Sequence, residues 1–292
     1  MHAPHPLVRA FSAPVYRVGL HHRTSLKWGR RIIDWGGRFA RLPPGSHVEH
    51  IRLGGRPAER VTVGATQRPR AVLYLHGGGY TLGSPRLYRA LAAHLSRSAG
   101  AVVFCLDYRL APEDVYPAAL DDAVAAFRDL TAVHGFDPKH IAIAGDSAGG
   151  GLAVAAARAL TDQGLPPGAL GLLSPWTDPS DDAMARRDFV TNVAWGTRSA
   201  SQYRGAADPH DPGYAPMYAE LEGLPPTIIQ CSTVEMLYPQ IQRFAERLEK
   251  AGVEVELIAR PNWWHSIQVL AGTLREATDA VQDLGNYLHA HI

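Results

Sequence analysis

The chain has 292 residues, of which 46% are hydrophobic, and its formal net charge at pH 7 is +1. This length and composition predict a single domain, 1–292, with a substantial core. The nearly neutral charge excludes a basic nucleic-acid-binding protein. No apolar run reaches about 18 residues and no apolar signal segment opens the chain, so we expect a cytoplasmic protein without stable membrane insertion.

Apolar segments of strand length alternate with segments of helix length along the chain. This alternation predicts an α/β fold, with about eight strands in a mostly parallel sheet and helices on both faces. The first two strands could pair antiparallel. The predicted strands are 47–53, 58–63, 71–75, 102–106, 141–144, 169–173, 226–231 and 253–259. The predicted helices are 85–99, 117–133, 148–162, 238–251 and 273–289.

Two segments interrupt this alternation, 1–45 and 179–211. The first is rich in arginine, and a basic amphipathic helix could lie on a membrane surface. We favour a cap helix whose arginines are solvated. The second segment lies between predicted strands and contains Phe189, Trp195 and Tyr203.

Residues 76–80 read HGGGY and directly follow the predicted strand 71–75. Glycines let the backbone approach a substrate carbonyl closely. Backbone N–H groups aimed at the oxyanion of acyl transfer are often the largest catalytic contribution, about 2.7–4 kcal/mol for each donor. A phosphate-binding loop is the alternative, but its glycine spacing is absent here.

Residues 145–149 read GDSAG, between the predicted strand 141–144 and an alanine-rich helix. In a G-x-S-x-G elbow the flanking glycines allow a sharp turn that exposes a serine at the positive end of the next helix. Ser147 is therefore a candidate nucleophile. Small residues are common at such turns, but two motifs that each follow a strand favour a serine hydrolase.

The remaining members of a catalytic triad should follow in the order acid, then histidine, on loops after later strands. Glu235 follows strand 226–231 and is preferred to Asp178, which follows an earlier strand. His265 follows strand 253–259 and is the predicted general base. A nucleophilic pair of Cys231 and His265 is disfavoured, because the thiol lacks an elbow.

These motifs resemble those of the hormone-sensitive-lipase-like family of α/β-hydrolases, the bacterial carboxylesterases with an HGGG loop. The resemblance spans about 45–290 and includes DYRLAPE at 107–113 and YPAALDD at 116–122. It implies that the segments 1–45 and 179–211 pack as a cap above the serine. It also implies an oxyanion hole. The backbone amides of Gly78, Gly79 and Ala148 would donate to the oxyanion, and Gly77 would support the loop.

The chain departs from the family pattern at two places. Pro239 stands where the family usually has an aspartate, four residues after the catalytic acid. Trp263 and Trp264 precede His265, where a glycine is usual. The second departure predicts an unusual pocket wall.

Together the motifs and the resemblance predict a carboxylic ester hydrolase that acts through an acyl-enzyme on short- to medium-chain esters, without metal or organic cofactor. The chain-length prediction rests on bulky side chains expected near the pocket. The residues expected there are Tyr80, Asp146, Trp195, Trp263 and Trp264. One alternative is an amidase, carbamate hydrolase or lactonase with the same triad. Another is a ligand-binding protein, but the intact triad argues against it. The resemblance also allows a homodimer through the last strand and helix.

Overall fold

The computed structural model describes residues 2–36, 41–65, 68–181 and 188–292. Its strands are β1 (Ser46–Leu53), β2 (Arg56–Val63), β3 (Ala71–Leu75), β4 (Val102–Leu106), β5 (Ile141–Asp146), β6 (Ala169–Leu173), β7 (Thr227–Ser232) and β8 (Val255–Arg260). Its helices are α1 (His5–Gly19), α2 (Leu26–Gly36), α3 (Arg89–Ala99), α4 (Ala118–Ala132), α5 (Ala148–Asp162), α6 (Val193–Arg204), α7 (Tyr238–Lys250) and α8 (Arg275–His291).

The strands form one eight-stranded sheet with the order β1-β2-β4-β3-β5-β6-β7-β8. From β4 across to β8 every neighbouring pair is parallel, whereas β2 pairs antiparallel with both β1 and β4. The predicted α/β fold and the antiparallel opening pair are confirmed. The central strands are apolar throughout because helices cover both of their faces.

Alternate side chains of the central strands enter two separate cores. Leu73 and Leu75 of β3 face a core shared with α4, α5 and α7, while Val72 and Tyr74 face a core shared with α3 and α8. This division follows from the two-residue period of a strand. The parallel arrangement brings the carboxyl ends of β3 and β5 to β8 to one edge of the sheet, where an open α/β fold places its site.

Among the predicted boundaries that differ from the structure, two have clear local reasons. The predicted helix 85–99 begins with the 3₁₀ turn Pro85–Tyr88, and α3 starts only at Arg89. The last strand begins at Val255 rather than at 253. Gly252 has a φ of +78°, and the Val253 amide donates to the Leu248 carbonyl at 3.0 Å, so this residue closes α7 instead of extending β8.

Helices α1, α2 and α6 come together above the carboxyl edge of the sheet. Leu20, Ile33, Leu82 and Trp195 form a small buried cluster. The Asn192 side chain donates to the Leu20 carbonyl at 2.9 Å. Residues 1, 37–40 and 182–187 of the two predicted cap segments lie outside the described residues. Within the described ranges, no helix combines the length and the hydropathy that crossing a bilayer requires.

Candidate active site

Ser147 occupies the turn between β5 and α5. Its backbone has φ 52° and ψ −121°, a conformation that a non-glycine residue adopts only under strain of about 1–3 kcal/mol. The turn is held by the Ser147 amide, which donates to the Leu173 carbonyl at 2.8 Å. A Cβ at Gly149 would overlap the Leu75 carbonyl oxygen, so the elbow needs glycine there for close packing.

His265 lies in the loop between β8 and α8, with its ring against the Ser147 side chain. The distance from His265 Nε2 to Ser147 Oγ is 2.9 Å, and that from His265 Nδ1 to Glu235 Oε1 is 3.4 Å. The second distance is long for a hydrogen bond, as is common before substrate binds. Both side chains are buried.

The Glu235 carboxylate is oriented by two donors that leave one oxygen for the histidine. Glu235 Oε2 accepts from Ser174 Oγ at 2.7 Å and from the Ser232 amide at 2.9 Å. Ser174 Oγ also accepts from the Ser266 amide at 3.1 Å. Ser174 therefore links the loops of the acid and of the histidine. No motif in the sequence marks Ser174, although its position directly after β6 places it at the carboxyl edge of the sheet.

Asp178, the alternative acid, and Cys231, the alternative nucleophile, lie outside the contacts that join Ser147, His265 and Glu235. Asp178 Oδ2 accepts from the Tyr218 hydroxyl at 3.0 Å and Oδ1 from the Ser180 amide at 3.0 Å, so this carboxylate is engaged away from the imidazole. Cys231 is buried, and this burial raises the pKa of its thiol. Such a thiol is a poor nucleophile because the thiolate is the reactive form.

Two opposing effects act on the pKa of His265. Burial of the ring opposes protonation, but the hydrogen bond to Glu235 and the charges of Glu235, Asp188 and Asp146 favour it and prevail. The pKa of His265 is therefore raised above its ordinary 6.5. A raised pKa means that the charged imidazolium form of this ring is stabilised by its surroundings.

Asp188 is a second carboxylate that acts on His265, and it comes from the second predicted cap segment. Its Oδ2 accepts from the Met236 amide at 2.8 Å, and its Oδ1 accepts from the Val190 amide at 2.7 Å. The segment before α6 is thus attached directly to the loop that carries Glu235. No local pattern in the sequence signals this contact, which joins residues 48 positions apart.

The glycine loop after β3 presents two amides that make no hydrogen bond to other described residues. Gly78 and Gly79 have φ values of +119° and +61°, which glycine adopts without strain. The Gly77 amide is occupied instead: it donates to Asp146 Oδ1 at 2.8 Å. Ala148 is the first residue of α5, so its N–H has no partner within the helix. The amides of Gly78, Gly79 and Ala148 therefore remain candidate donors to an oxyanion, and the Gly77 amide is held by Asp146.

Asp146 lies beneath the elbow and is fully enclosed. It accepts hydrogen bonds from the hydroxyls of Tyr74 and Tyr88, both at 3.1 Å, besides the Gly77 amide. Burial raises the pKa of this carboxyl, while its donors act in the opposite direction. His76, the first residue of the loop, stacks on Tyr108 with ring centres 4.4 Å apart, and burial lowers its pKa to about 4. The His76 ring is consequently neutral and structural.

A cavity of about 630 Å³ opens above Ser147 and His265. Of the residues expected at the substrate pocket, Asp146 and Trp195 line this cavity. Tyr80 and Trp264 do not: Tyr80 is buried and stacks on Tyr203 at 3.7 Å, because it turns away from the loop into the core. Trp264 lines a second cavity of about 730 Å³, as do Trp263 and Glu235. The described residues contain no cluster of three or more metal-ligating side chains.

A mostly parallel sheet with a serine at a strand-to-helix elbow on its carboxyl edge defines an α/β hydrolase. A family model described as alpha/beta hydrolase fold matches residues 72–269. An acetyl-hydrolase from Streptomyces hygroscopicus is 39% identical over 251 residues, which cover 81% of this chain and 84% of that protein. An esterase from Acinetobacter venetianus is 31% identical over 265 residues, with 88% and 87% coverage.

Solved structures agree with these relatives. The crystal structure of an esterase from the bacterial hormone-sensitive lipase (HSL) family superposes with a TM-score of 0.91 at 35% identity and covers 99% of both chains. The chain belongs to the α/β-hydrolase family, and its resemblance to bacterial hormone-sensitive-lipase-type esterases is confirmed.

Proposed function

We propose that this protein is a carboxylic ester hydrolase in which Ser147, His265 and Glu235 form the catalytic triad. The observation that carries the proposal is the position of the His265 ring, 2.9 Å from Ser147 Oγ on one side and 3.4 Å from Glu235 Oε1 on the other. The names of the relatives, acetyl-hydrolase and esterase, support the same class of reaction.

The acylation step follows from this geometry. His265 Nε2 takes the proton of Ser147 as its Oγ attacks the ester carbonyl, and the carbonyl oxygen becomes an oxyanion. The unpaired amides of Gly78, Gly79 and Ala148 are the proposed donors to that oxygen. The tetrahedral intermediate then collapses, and the imidazolium gives its proton to the departing alcohol.

Deacylation repeats the sequence with water. His265 removes a proton from a water molecule, whose oxygen attacks the acyl-enzyme carbonyl and forms a second oxyanion. Collapse releases the carboxylic acid, and Ser147 recovers its proton from the imidazolium. Throughout, Glu235 keeps the ring in the tautomer with the proton on Nδ1 and stabilises its charged form, while Ser174 and the Ser232 amide hold the carboxylate.

The cavity supports a preference for short to medium acyl chains. Trp195, whose amide is capped by the Asn192 side chain at 3.0 Å, closes one side of the space above Ser147. A Cβ at Gly79 would lie 2.7 Å from this indole, so the ring is packed directly against the proposed oxyanion loop. We therefore expect the indole to limit the length of an acyl chain on this side of the cavity.

The test is hydrolysis of p-nitrophenyl esters from acetate to palmitate by the wild type, Ser147→Ala and Ser201→Ala. Ser201 is an exposed serine of α6 and serves as the matched control. We expect Ser147→Ala to lower kcat by roughly 10⁶-fold and Ser201→Ala to leave it unchanged. Wild-type turnover should be highest at butyrate or hexanoate. Faster turnover of a matched anilide would indicate an amidase, and no turnover by folded protein would indicate a binding protein.

The cytoplasmic location and the homodimer inferred from the sequence remain proposals of the same kind. Fractionation of cells that express the full chain tests the first. Sedimentation velocity at micromolar concentration tests the second, and a monomer there would exclude a stable dimer.

A further inference from the structure

The outer face of α1 is apolar although it faces solvent. Leu7, Phe11 and Val18 have 55%, 78% and 51% of their surface exposed. Spacings of four and seven residues place the three on one stripe of the helix. Val8, on another side of α1, is buried. An exposed stripe of large apolar side chains indicates a surface that binds a protein, a ligand or a membrane.

Helix α2 also exposes large apolar side chains. Trp28 and Trp35, seven residues apart, are 59% and 53% exposed. The guanidinium of Arg31 lies over the Trp28 ring at 5.5 Å. Tryptophan favours the boundary between water and lipid, because its ring is apolar and its N–H can remain hydrated. We call the set Leu7, Phe11, Val18, Trp28 and Trp35 the apolar face.

The segment that carries α1 and α2 is predominantly basic in sequence. The first 45 residues contain eight arginines and lysines but a single acidic residue, Asp34, although the whole chain is nearly balanced with 29 basic and 28 acidic residues. Arg30 is paired with Glu113 at 2.7 Å. Arg23 and Lys27 are exposed and have no ion pair with any described residue. Unpaired cations beside exposed apolar side chains are the combination that binds an anionic lipid surface.

The apolar face also borders the entrance of the catalytic cavity. Leu7, Phe11 and Trp35 line the same cavity of about 630 Å³ that reaches Ser147 and His265. Val8 and Val15, two further residues of α1, also line it. An apolar path thus runs from the exposed surface to the nucleophile.

We propose that the apolar face docks reversibly on an anionic lipid–water interface, so that an ester substrate enters the cavity from that interface without crossing water. The delivery of substrate rests on the proposed esterase function, whereas the docking does not. A second copy of this chain is a poor occupant. Symmetric pairing would place two sets of unpaired cations against each other, and like charges disfavour such contacts.

Docking is tested with the full chain carrying Ser147→Ala. This protein is sedimented with vesicles of phosphatidylcholine alone or of phosphatidylcholine mixed with phosphatidylglycerol. We expect at least tenfold tighter binding to the mixed vesicles, and weaker binding as salt rises because the attraction is screened. Equal binding to both vesicle types, or binding to neither, would overturn the proposal. A dimer that dissociates in Val18→Ser, without vesicle binding, would show that a second copy covers this face.

Two pairs of variants locate the surface. Val18→Ser with Trp28→Ser removes apolar contact, and Arg23→Glu with Lys27→Glu reverses charge; each pair should weaken vesicle binding at least tenfold. The matched controls are Val133→Ser, a residue 72% exposed after α4, and Lys250→Glu, an exposed lysine that ends α7. These should bind as the parent does. Equal losses in the controls would show that docking is not specific to the apolar face.

Substrate delivery is measured separately with catalytically intact protein. Trp28→Ser and Lys27→Glu should hydrolyse dissolved p-nitrophenyl butyrate at the wild-type rate, because neither residue lines the cavity, but should lose activity on an ester embedded in mixed vesicles. Loss of both activities to the same degree would contradict interfacial delivery. Vesicle binding by a protein that hydrolyses no ester would refute the proposed function and leave the docking surface established.

Discussion

The carboxylate of Asp146 accepts a hydrogen bond from the Gly77 amide at 2.8 Å, and this contact joins β5 to the loop after β3. Asp146 immediately precedes Ser147, and Gly77 immediately precedes the two glycines with unpaired amides. One buried carboxylate therefore sets the distance between the proposed nucleophile and the proposed oxyanion donors. A Cβ on Gly77 would overlap Asp146, so the contact leaves no room for a larger residue.

Asp146→Asn should lower kcat more than it changes KM. The amide keeps one acceptor for Gly77 but presents an NH₂ group where a tyrosine hydroxyl now donates, so the loop shifts relative to Ser147. We expect a loss below the roughly 10²–10³-fold that follows removal of a whole oxyanion donor. Steady-state kinetics on p-nitrophenyl butyrate measure it. Asp283→Asn, an exposed acid of α8, is the control, and equal kinetics in the two variants would contradict this positioning role.

Glu235→Gln should reduce kcat by roughly 10⁴-fold, because a carboxamide no longer stabilises the imidazolium or fixes the Nδ1–H tautomer. Asp178→Asn should retain most activity, since this carboxylate is bonded to Tyr218 and Ser180 rather than to His265. Rates of ester hydrolysis, with circular dichroism to verify folding, compare the two. The reverse order would show that Asp178 is the acid.

The rate of ester hydrolysis should fall when the pH drops below a midpoint that lies above 6.5, the ordinary pKa of histidine. His265 acts as a base only when neutral, and its pKa is raised above 6.5 by Glu235, Asp188 and Asp146. kcat/KM should therefore rise with pH through that raised pKa. Residual activity of Glu235→Gln should show its midpoint at lower pH, because the main cause of the raised pKa is gone. An unchanged midpoint would show that another group titrates.

Asp188→Asn tests the connection between the segment before α6 and the acid loop. Asparagine can still accept from the Met236 amide, but the negative charge near His265 disappears. We expect the midpoint of the kcat/KM profile to move to lower pH with a small change in the free energy of unfolding. Asp188→Ala should add a loss of thermal stability, because the amides of Met236 and Val190 lose their acceptor. A purely structural role would leave the pH midpoint of Asp188→Asn in place.

Trp195→Leu should shift preference toward longer acyl chains. The smaller side chain opens the cavity wall above Ser147, and each further methylene buried there contributes about 0.8 kcal/mol, or roughly fourfold in kcat/KM. The ratio of kcat/KM for decanoate to that for butyrate measures the shift. Trp28→Leu changes an exposed tryptophan of α2 and should leave the ratio for dissolved esters unaltered. A constant ratio in Trp195→Leu would exclude the indole from the acyl site.

Local patterns in the sequence were sufficient for the elements that carry the site. The run 71–75 before HGGG and the run 141–144 before GDSAG predict strands that the structure places side by side as β3 and β5. Residues at the ends of parallel strands meet at one edge of a sheet, so Ser147, Glu235 and His265 could be selected by position before their distances were known. Boundaries such as the start of β8 depended on how the Val253 amide closes α7.

The sequence alone determined the fold, the family resemblance and the residues of the candidate triad. Apolar periodicity, glycine turns and the order of strands along the chain are local properties. The tertiary structure decided which side chains surround them. Ser174 and Asp188 hold the acid loop, Trp195 lines the cavity, and Tyr80 and Trp264 face elsewhere. These contacts join segments far apart in the chain. The direction of each side chain depends on packing against neighbours that no local pattern specifies.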